Sequence, residues 1–553
     1  MNFTGKLFVS AGFLLANISA FSQLIPGVLG YHEQALMFSN YSYTGSARIQ
    51  GLANTQISLG GDISSALSNP AGLGFYNRSE ISITPSYGIQ SATSTYISNS
   101  VTSEFGNFNI NNLGAVFNKT KSDIVPGKWR GGSFAISFSK VNNFNSEIRY
   151  SGQNPNNDIL DFYVQDANTQ NVNFNQLEGA TYGAFVTYLM SEFLDAFVDG
   201  NDTTFVPFYD RTFFSEYPKD DSPTNQEEII TTTGGQNQWD FSYGGNYGDF
   251  LYFGVTLGIQ SLRYNVVKQY NETYKGRDIL LTSTLTEDLL TEGIGVNGTF
   301  GVIARPIKQL TVGLSLITPT FLSLSERYSY VTNANFNNFN MTNFGNYFDA
   351  NYGDIVNPEF ENPNSPYYPA SFTTFYEDNA SLNSESYEEE SLFDYTITTP
   401  LRLNFGTTFF INKNGFVTAD IEYVDYSSMK IKDEEGLLED ENTTINQLYQ
   451  SALNVRVGGE WRLKKLRIRA GYNYQPSPII AEDMSSKIQS YSAGLGYRSG
   501  KFFTDLAVSY KQFNSIYSPY LLDNPDGKPY LETSRVEIEN SNLNFALSVG
   551  FFF

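Results

Sequence analysis

The sequence predicts an all-β protein: a 14-stranded antiparallel transmembrane β-barrel with an N-terminal plug and long extracellular loops containing short helices. Three observations predict it. Many segments alternate apolar with small or polar residues at period two, as strands do when their two faces meet different surroundings. Aromatic residues make up 16% of the chain, with 38 Tyr and 45 Phe, a composition suited to aromatic girdles at two membrane interfaces. The chain closes on Leu543, Phe545, Leu547, Val549, Phe551 and Phe553, interleaved with Asn544, Ala546, Ser548, Gly550 and Phe552. A strand ending on Phe behind an export signal is typical of a Gram-negative outer-membrane barrel.

The elements follow in chain order. Residues 1–22 read as a secretory signal: Lys6 is the positive region, Leu7 to Ile18 the short apolar core, and Ala20 and Ser22 the small residues that place cleavage before Gln23. Residues 23–77 are not strand-like and carry Gly45, Gly51 and Gly60-Gly61. A delayed first strand leaves material to fill a lumen that would otherwise be an aqueous channel, so this stretch is read as an internal plug. Residues 78–553 form the barrel. Its strands are expected near 78–90, 104–118, 131–149, 237–246, 250–270, 290–304, 309–328, 393–411, 416–432, 447–463, 465–477, 487–498, 501–512 and 535–553. Short turns near 246–249, 305–308, 412–415, 464 and 499–500 alternate with long connections, notably the inserts 150–236 and 329–392. That asymmetry puts the long loops outside the cell and, with an even strand count, both termini in the periplasm.

Composition also excludes. A net charge of −23 opposes nucleic-acid binding, which demands Lys and Arg for phosphates. The chain has no Cys and one His, His32, so neither thiolate metal sites nor a Cys–His pair exist, and His32 lies before the first strand. No catalytic residue, metal or cofactor is expected, and the protein is read as not an enzyme. The acidic runs, Glu385 to Glu390 and Asp433 to Glu441, fall in long loops and are read as solvated surface, with cation bridging to lipopolysaccharide as their other use.

Several motifs resemble the FadL-type outer-membrane transporters of hydrophobic compounds, in the form common in Bacteroidetes. Gly60-Gly61-Asp62 through Asn69-Pro70-Ala71-Gly72-Leu73 is similar to that family's plug motif. Gly313-Leu314-Ser315 with Pro319, Ala419-Asp420-Ile421-Glu422-Tyr423, Val457-Gly458-Gly459-Glu460-Trp461, Arg469-Ala470-Gly471-Tyr472 and Gly494-Leu495-Gly496-Tyr497 follow in the family's order. The resemblance implies a 14-stranded barrel with an N-terminal hatch. It also implies passive uptake of long-chain fatty acids or other hydrophobic compounds, through a plugged lumen with a lateral exit beside a kinked strand. Outer-membrane lipid and lipopolysaccharide would be its surroundings, and Phe553 the signal read by the barrel-assembly machinery. A second reading is a FadL-like barrel that serves as a docking or shuttle component of protein secretion or surface attachment.

Three groups of residues are candidates for ligand handling. Tyr182, Phe185, Val186, Leu189, Phe193 and Phe197 recur at helical spacing, either as a landing surface for an apolar ligand or as a stripe packed on the rim. Arg402, Arg456, Arg467 and Arg469 lie opposite the apolar faces of their strands, with Asp420, Glu422, Glu460 and Asp505, so they face the lumen. There they either bind a carboxylate through a guanidinium fork or anchor the plug in ion pairs. Phe108 and Ile110 keep one parity and Leu113, Ala115 and Phe117 the other. That phase slip predicts a bulge near Asn111-Asn112 and makes residues 106–114 the candidate exit region.

Overall fold

The computed structural model describes residues 30–553 apart from 43, 122–126, 171, 173–175, 194–196, 200–201, 205–211, 216, 218–221, 278, 340–381, 481–485 and 523–534. Fourteen antiparallel strands close one barrel, four of them broken in two to give the 18 segments of the sheet. They are β1 Glu80–Tyr96, β2 Asn99–Thr120, β3 Trp129–Asn143 with Ser146–Asn154, β4 Thr224–Tyr247, β5 Leu251–Thr273, β6 Leu280–Ile307 and β7 Leu310–Ile317 with Phe321–Phe339. Then come β8 Leu382–Thr398 with Arg402–Ile411, β9 Gly415–Asp425 with Lys430–Asp433, β10 Ser451–Leu463, β11 Leu466–Gln475, β12 Ile488–Ser499, β13 Phe502–Tyr517 and β14 Val536–Phe552. The closing strand pairs with the first, from Glu80↔Phe552 to Tyr96↔Val536, which leaves no open sheet edge there.

Period two decides which side chain faces where. Ile81 and Ile83 on β1, Phe253, Val255, Leu257 and Ile259 on β5, and Leu547 and Phe551 on β14 are exposed on the outer face. Between them Ser82, Tyr252, Thr256, Gln260 and Ser548 are buried on the inner face. A continuous apolar belt of this kind belongs against hydrocarbon, and no described helix is long and apolar enough to cross a membrane.

The strands run beyond the belt, so the loops are shorter than expected. On β5 the outward residues become Ser261, Arg263 and Asn265, while inward Leu262, Tyr264 and Val266 are buried. Alternation persists but its polarity inverts, because water now lies outside and a packed core inside. For the same reason β4 starts at Thr224 rather than near 237. The turn between β1 and β2 is only Ile97-Ser98, both at positive φ (44° and 64°). Two successive left-handed residues make a tight hairpin usually built from Asn-Gly. The insert between β3 and β4 carries helices α4 Ile159–Gln170 and α5 Gly179–Val186, and α6 Glu439–Leu448 lies between β9 and β10.

Candidate functional site: the lumen and its lateral seam

Residues 30–76 lie inside the barrel. Helix α1 (Tyr31–Ser39) sits at the loop-bearing end, where His32 Nδ1 is 2.8 Å from Glu441 Oε2 of α6. The chain then descends through the short helix Ala47–Gln50, whose first N–H donates to Ser548 Oγ at 2.7 Å. It crosses to Asp420, whose Oδ2 accepts from the N–H groups of Gln56 (2.7 Å) and Ile57 (3.0 Å). After the short helices α2 (Ala47–Gln50) and α3 (Ser65–Ser68) it ends in a 3₁₀ turn, Pro70–Phe75, before entering β1.

What seats this segment is a waist of small residues. Gly244 and Gly254 meet the Pro70 backbone, Gly301 meets Asn69, Gly313 and Gly406 meet Ile57-Ser58, Gly458 and Gly471 meet Leu52, and Gly494 meets Gly51. A Cβ on Gly244 would stand 2.5 Å from Pro70 O, so only glycine admits plug backbone so close. The motif Asn69-Pro70-Ala71-Gly72 has a structural place in this seat. Asn69 is fully buried; its Nδ2 donates to Ile57 O at 2.7 Å and its Oδ1 accepts from Ala71 N–H at 3.2 Å. Pro70 opens the 3₁₀ turn, where its missing N–H costs nothing, and a Cβ on Gly72 would stand 2.5 Å from Ser65 Oγ.

The lumen-facing arginines meet carboxylates. Arg402 and Arg456 share Glu422, at 3.0 and 2.9 Å. Arg402 also donates to Ser39 O of the plug and lies 4.5 Å from the centre of the Tyr41 ring. Arg469 bridges Glu460 (2.8 Å) and Asp505 (2.7 Å), and the plug's own Arg48 approaches Asp62 and Glu460 within 4.0 Å. Buried charges are tolerable when paired and hydrogen-bonded in this way. Arg467 differs: its Nη1 donates to Lys464 O and Leu466 O at the tight-turn rim. Arg402, Arg456, Arg467 and Arg469 thus each meet an acceptor of the protein itself.

The aromatic stripe in the large insert is not one helix. Helix α5 ends at Val186, and Tyr188 sits at φ 60°. Phe185 packs on Phe213 (6.3 Å between centres), and Leu189 is fully buried with Ile159, Leu160, Tyr163 and Met190. These side chains share one buried cluster with Tyr270, Leu280, Ala334 and Phe336 of the barrel strands, so the described part of the stripe packs on the barrel rim, the commoner use of a helical stripe. The backbone of Phe193 belongs to a short strand, Ser191–Phe193, and its side chain lies outside the described residues.

Above the plug seat the lumen is apolar. Phe38 of α1 packs on Phe144 and Tyr264, each 5.8 Å between centres. Leu36, Ala92, Tyr96, Ile148, Tyr150, Leu262, Ile397, Val536 and Ile538 complete a buried cluster around it. One side of this cluster lies against an interrupted line in the wall. The register of β1 with β2 jumps from Thr84↔Asn112 to Pro85↔Ile110, leaving Asn111 as a bulge, where the phase slip in the sequence placed it. β2 pairs with β3 only from Asn112↔Ser139 to Thr120↔Gly131. Nearer the loops, side chains replace the ladder. Lys140 Nζ donates to Asn109 Oδ1 (2.6 Å), Asn107 Nδ2 to Asn143 Oδ1 (3.1 Å) and Ser103 Oγ to Glu147 O (2.6 Å). Backbone groups without a ladder at membrane depth are costly, so such a seam calls for a reason. Sequence reasoning found the bulge. It missed Lys140, whose role depends on which strand stops pairing with which.

No family model matches the chain, and no curated protein matches its sequence. Its similarity is to solved structures. A Pseudomonas aeruginosa FadL homologue matches with TM-score 0.50 at 13% identity, over 92% of this chain and 98% of that one. The P. putida toluene transporter TodX matches with TM-score 0.47 at 11% identity (93% and 99% covered), and the CymD monoaromatic hydrocarbon channel with TM-score 0.44 at 11% identity (93% and 99%). The first of these matches, with the strand count and closure, gives this chain the fold of a FadL-type barrel.

Proposed function

We propose that the protein is an outer-membrane channel for passive uptake of hydrophobic small molecules, long-chain fatty acids being the first to test. Ligand enters the apolar upper lumen from the loop side and leaves sideways through the seam between β2 and β3, while the seated plug blocks the axial route. The observation that carries this is the missing ladder above Asn112, set beside the apolar cluster around Phe38. A lateral exit needs a line of wall that opens without tearing a backbone ladder, and the seam supplies one. The outer belt would rest in outer-membrane lipid beneath lipopolysaccharide. Exposed Phe553 would serve the barrel-assembly machinery. A docking role in secretion draws on a different observation, the folded cap of α4 and α5 packed over the upper barrel strands.

The test locks the seam. Asn107 and Asn143 touch through their side chains, and the chain has no native Cys, so N107C/N143C can form one new disulfide across it. Expressed in a Gram-negative host lacking its own fatty-acid channel, the wild type should take up long-chain fatty acid. The oxidised double variant should lose that uptake and regain it with reductant. Undiminished uptake by the oxidised variant would refute the lateral route. No uptake by surface-exposed, folded wild type would refute the fatty-acid reading and favour docking.

A further inference from the structure

We infer that the lumen holds a head-group site for a singly charged anionic amphiphile beside the seam, with Lys511 as its counter-ion and Lys140 as the cation it passes on leaving. This rests on the uptake reading above and names the end of the ligand that the protein grips.

The plug fills the lumen unevenly. Along β3 to β6, at the height of the seam's lower end, the inward residues Ser139, Gln238, Gln260 and Asn297 are buried. Across β11, β12, β13, β14, β1 and β2 two cross-strand rows of inward residues are instead almost all half-buried. One row is Asn473, Ser490, Lys511, Asn542, Gln90 and Phe105; the row beneath runs from Gly471 to Asn107. Side chains that point inward yet stay partly accessible line a hollow. This hollow spans six strands and ends at Asn107, in the seam.

Apart from Phe105 and two glycines its lining is amide and hydroxyl, with a single charge. Lys511 has the inward parity of Asp505 and Ala507. Its ammonium lies 5.2 Å from the centre of the Phe513 ring, and among the described residues it forms no salt bridge. Every lumen arginine named above has a carboxylate or a carbonyl; among the described residues this lysine has neither, which is an expensive arrangement unless something else supplies the negative charge. One inward row above it lies Asn540, 3% exposed. An ammonium without a protein acceptor among the described residues suits a negative head group better than a hydrocarbon tail.

Height agrees. The outward row flanking Lys511 on one side is Tyr491, Tyr510, Leu543 and Ile89, the edge of the apolar belt. The row on its other side is Gln489, Gln512, Ser541 and Ser91. Lys511 therefore sits at the boundary where lipid head groups begin. Lys140, facing outward above Trp239 in the same boundary, bonds Asn109 across the seam. A ligand sliding out between β2 and β3 can put its tail into the bilayer past exposed Phe108 and Ile110 while its head stays at head-group height, moving from one lysine to the other.

The test uses the full-length protein in detergent with two probes, oleate and methyl oleate, which share a tail and differ in charge. K511Q should weaken oleate binding by about tenfold or more, the worth of one charge-assisted hydrogen bond, and leave methyl oleate binding unchanged; K511R should retain most of the oleate affinity. K140Q should slow oleate uptake and spare the ester. Heat-modifiable migration on gels reports that each variant is folded. Equal loss for both probes in K511Q, or no loss for either, would overturn the head-group site while leaving the uptake reading standing. If wild type binds neither probe, the uptake reading fails and takes this inference with it.

Discussion

Gly244→Ala puts one methyl group into the plug seat. On the structure the new Cβ would lie 2.5 Å from Pro70 O, 2.7 Å from Leu73 Cβ and 2.8 Å from Gly74 N. These are rigid partners: Pro70 and Gly74 belong to one 3₁₀ turn, whose own end is pinned by buried Asn69. Neither the wall strand nor the turn can yield alone, because Gly254 and Gly301 grip the same turn from neighbouring strands. Overpacking of this kind costs about 1–3 kcal/mol, and with backbone on both sides the upper end applies. At about 1.4 kcal/mol per tenfold, 3 kcal/mol raises the fraction of unseated plug by roughly a hundredfold. The control is Gly298→Ala, where the nearest atom to a new Cβ is 3.7 Å away, an ordinary contact. Swelling of proteoliposomes in small polar solutes reads the seat directly: G244A should admit them and G298A should not. A tight G244A barrel of normal thermal stability would refute the claim that the glycine waist holds the plug.

Two further predictions concern the loop end. His32 is buried against Glu441 with Glu33 and Tyr449 beside it; burial lowers its pKa, but the Glu441 hydrogen bond and both carboxylates together raise it above the ordinary value. A raised folded-state pKa stabilises fully below about pH 6.5, the unfolded value, and is lost as pH rises through the folded value. Protease nicking near α6 should therefore increase as pH rises, and H32Q should remove that dependence. Separately, Ile97 carries a branched side chain at φ 44°, which costs about 1–2 kcal/mol; I97N/S98G should raise the melting temperature without changing uptake.

The residues legible in sequence were those whose surroundings alternate. In the belt every second residue meets lipid, so Leu251 to Ile259 declare a strand. The slip between Ile110 and Leu113 declares the Asn111 bulge in the same way. Above the belt the code inverts, which hid the first half of β4 and the upper ends of β1 and β7. Ile97-Ser98 gave no turn signal, because tight closure there is imposed by the long ladders of β1 and β2 rather than by local preference. The stripe from Tyr182 to Phe197 left its use open for a different reason. Helical spacing shows only that one face is apolar, and where it is described that face meets the upper barrel strands as well as the insert. Lys511 was within reach, since it shares the parity of Asp505; what the sequence lacks is the absence of a partner, a three-dimensional fact.

The asymmetry of plug seating joins these findings. Had the plug filled the lumen evenly, the amide-lined hollow would not exist and the seam would be an isolated defect. Instead, β3 is braced from within where its register with β4 shifts between Lys140 and Asn142: Ser42 N–H donates to Val141 O at 3.0 Å and Asn142 Nδ2 to Asn40 O. The plug therefore supports one lip of the seam, while the other lip, the upper half of β2, borders the hollow through Asn107 and Asn109. A wall with one braced lip and one lip backed by open space yields on the unbraced side. On the proposed lateral route, opening would move β2 rather than β3, draw on side-chain bonds rather than a ladder, and leave the plug in place. A barrel whose axis is blocked would then still pass a ligand, and locking Asn107 to Asn143 is expected to stop uptake without touching the plug.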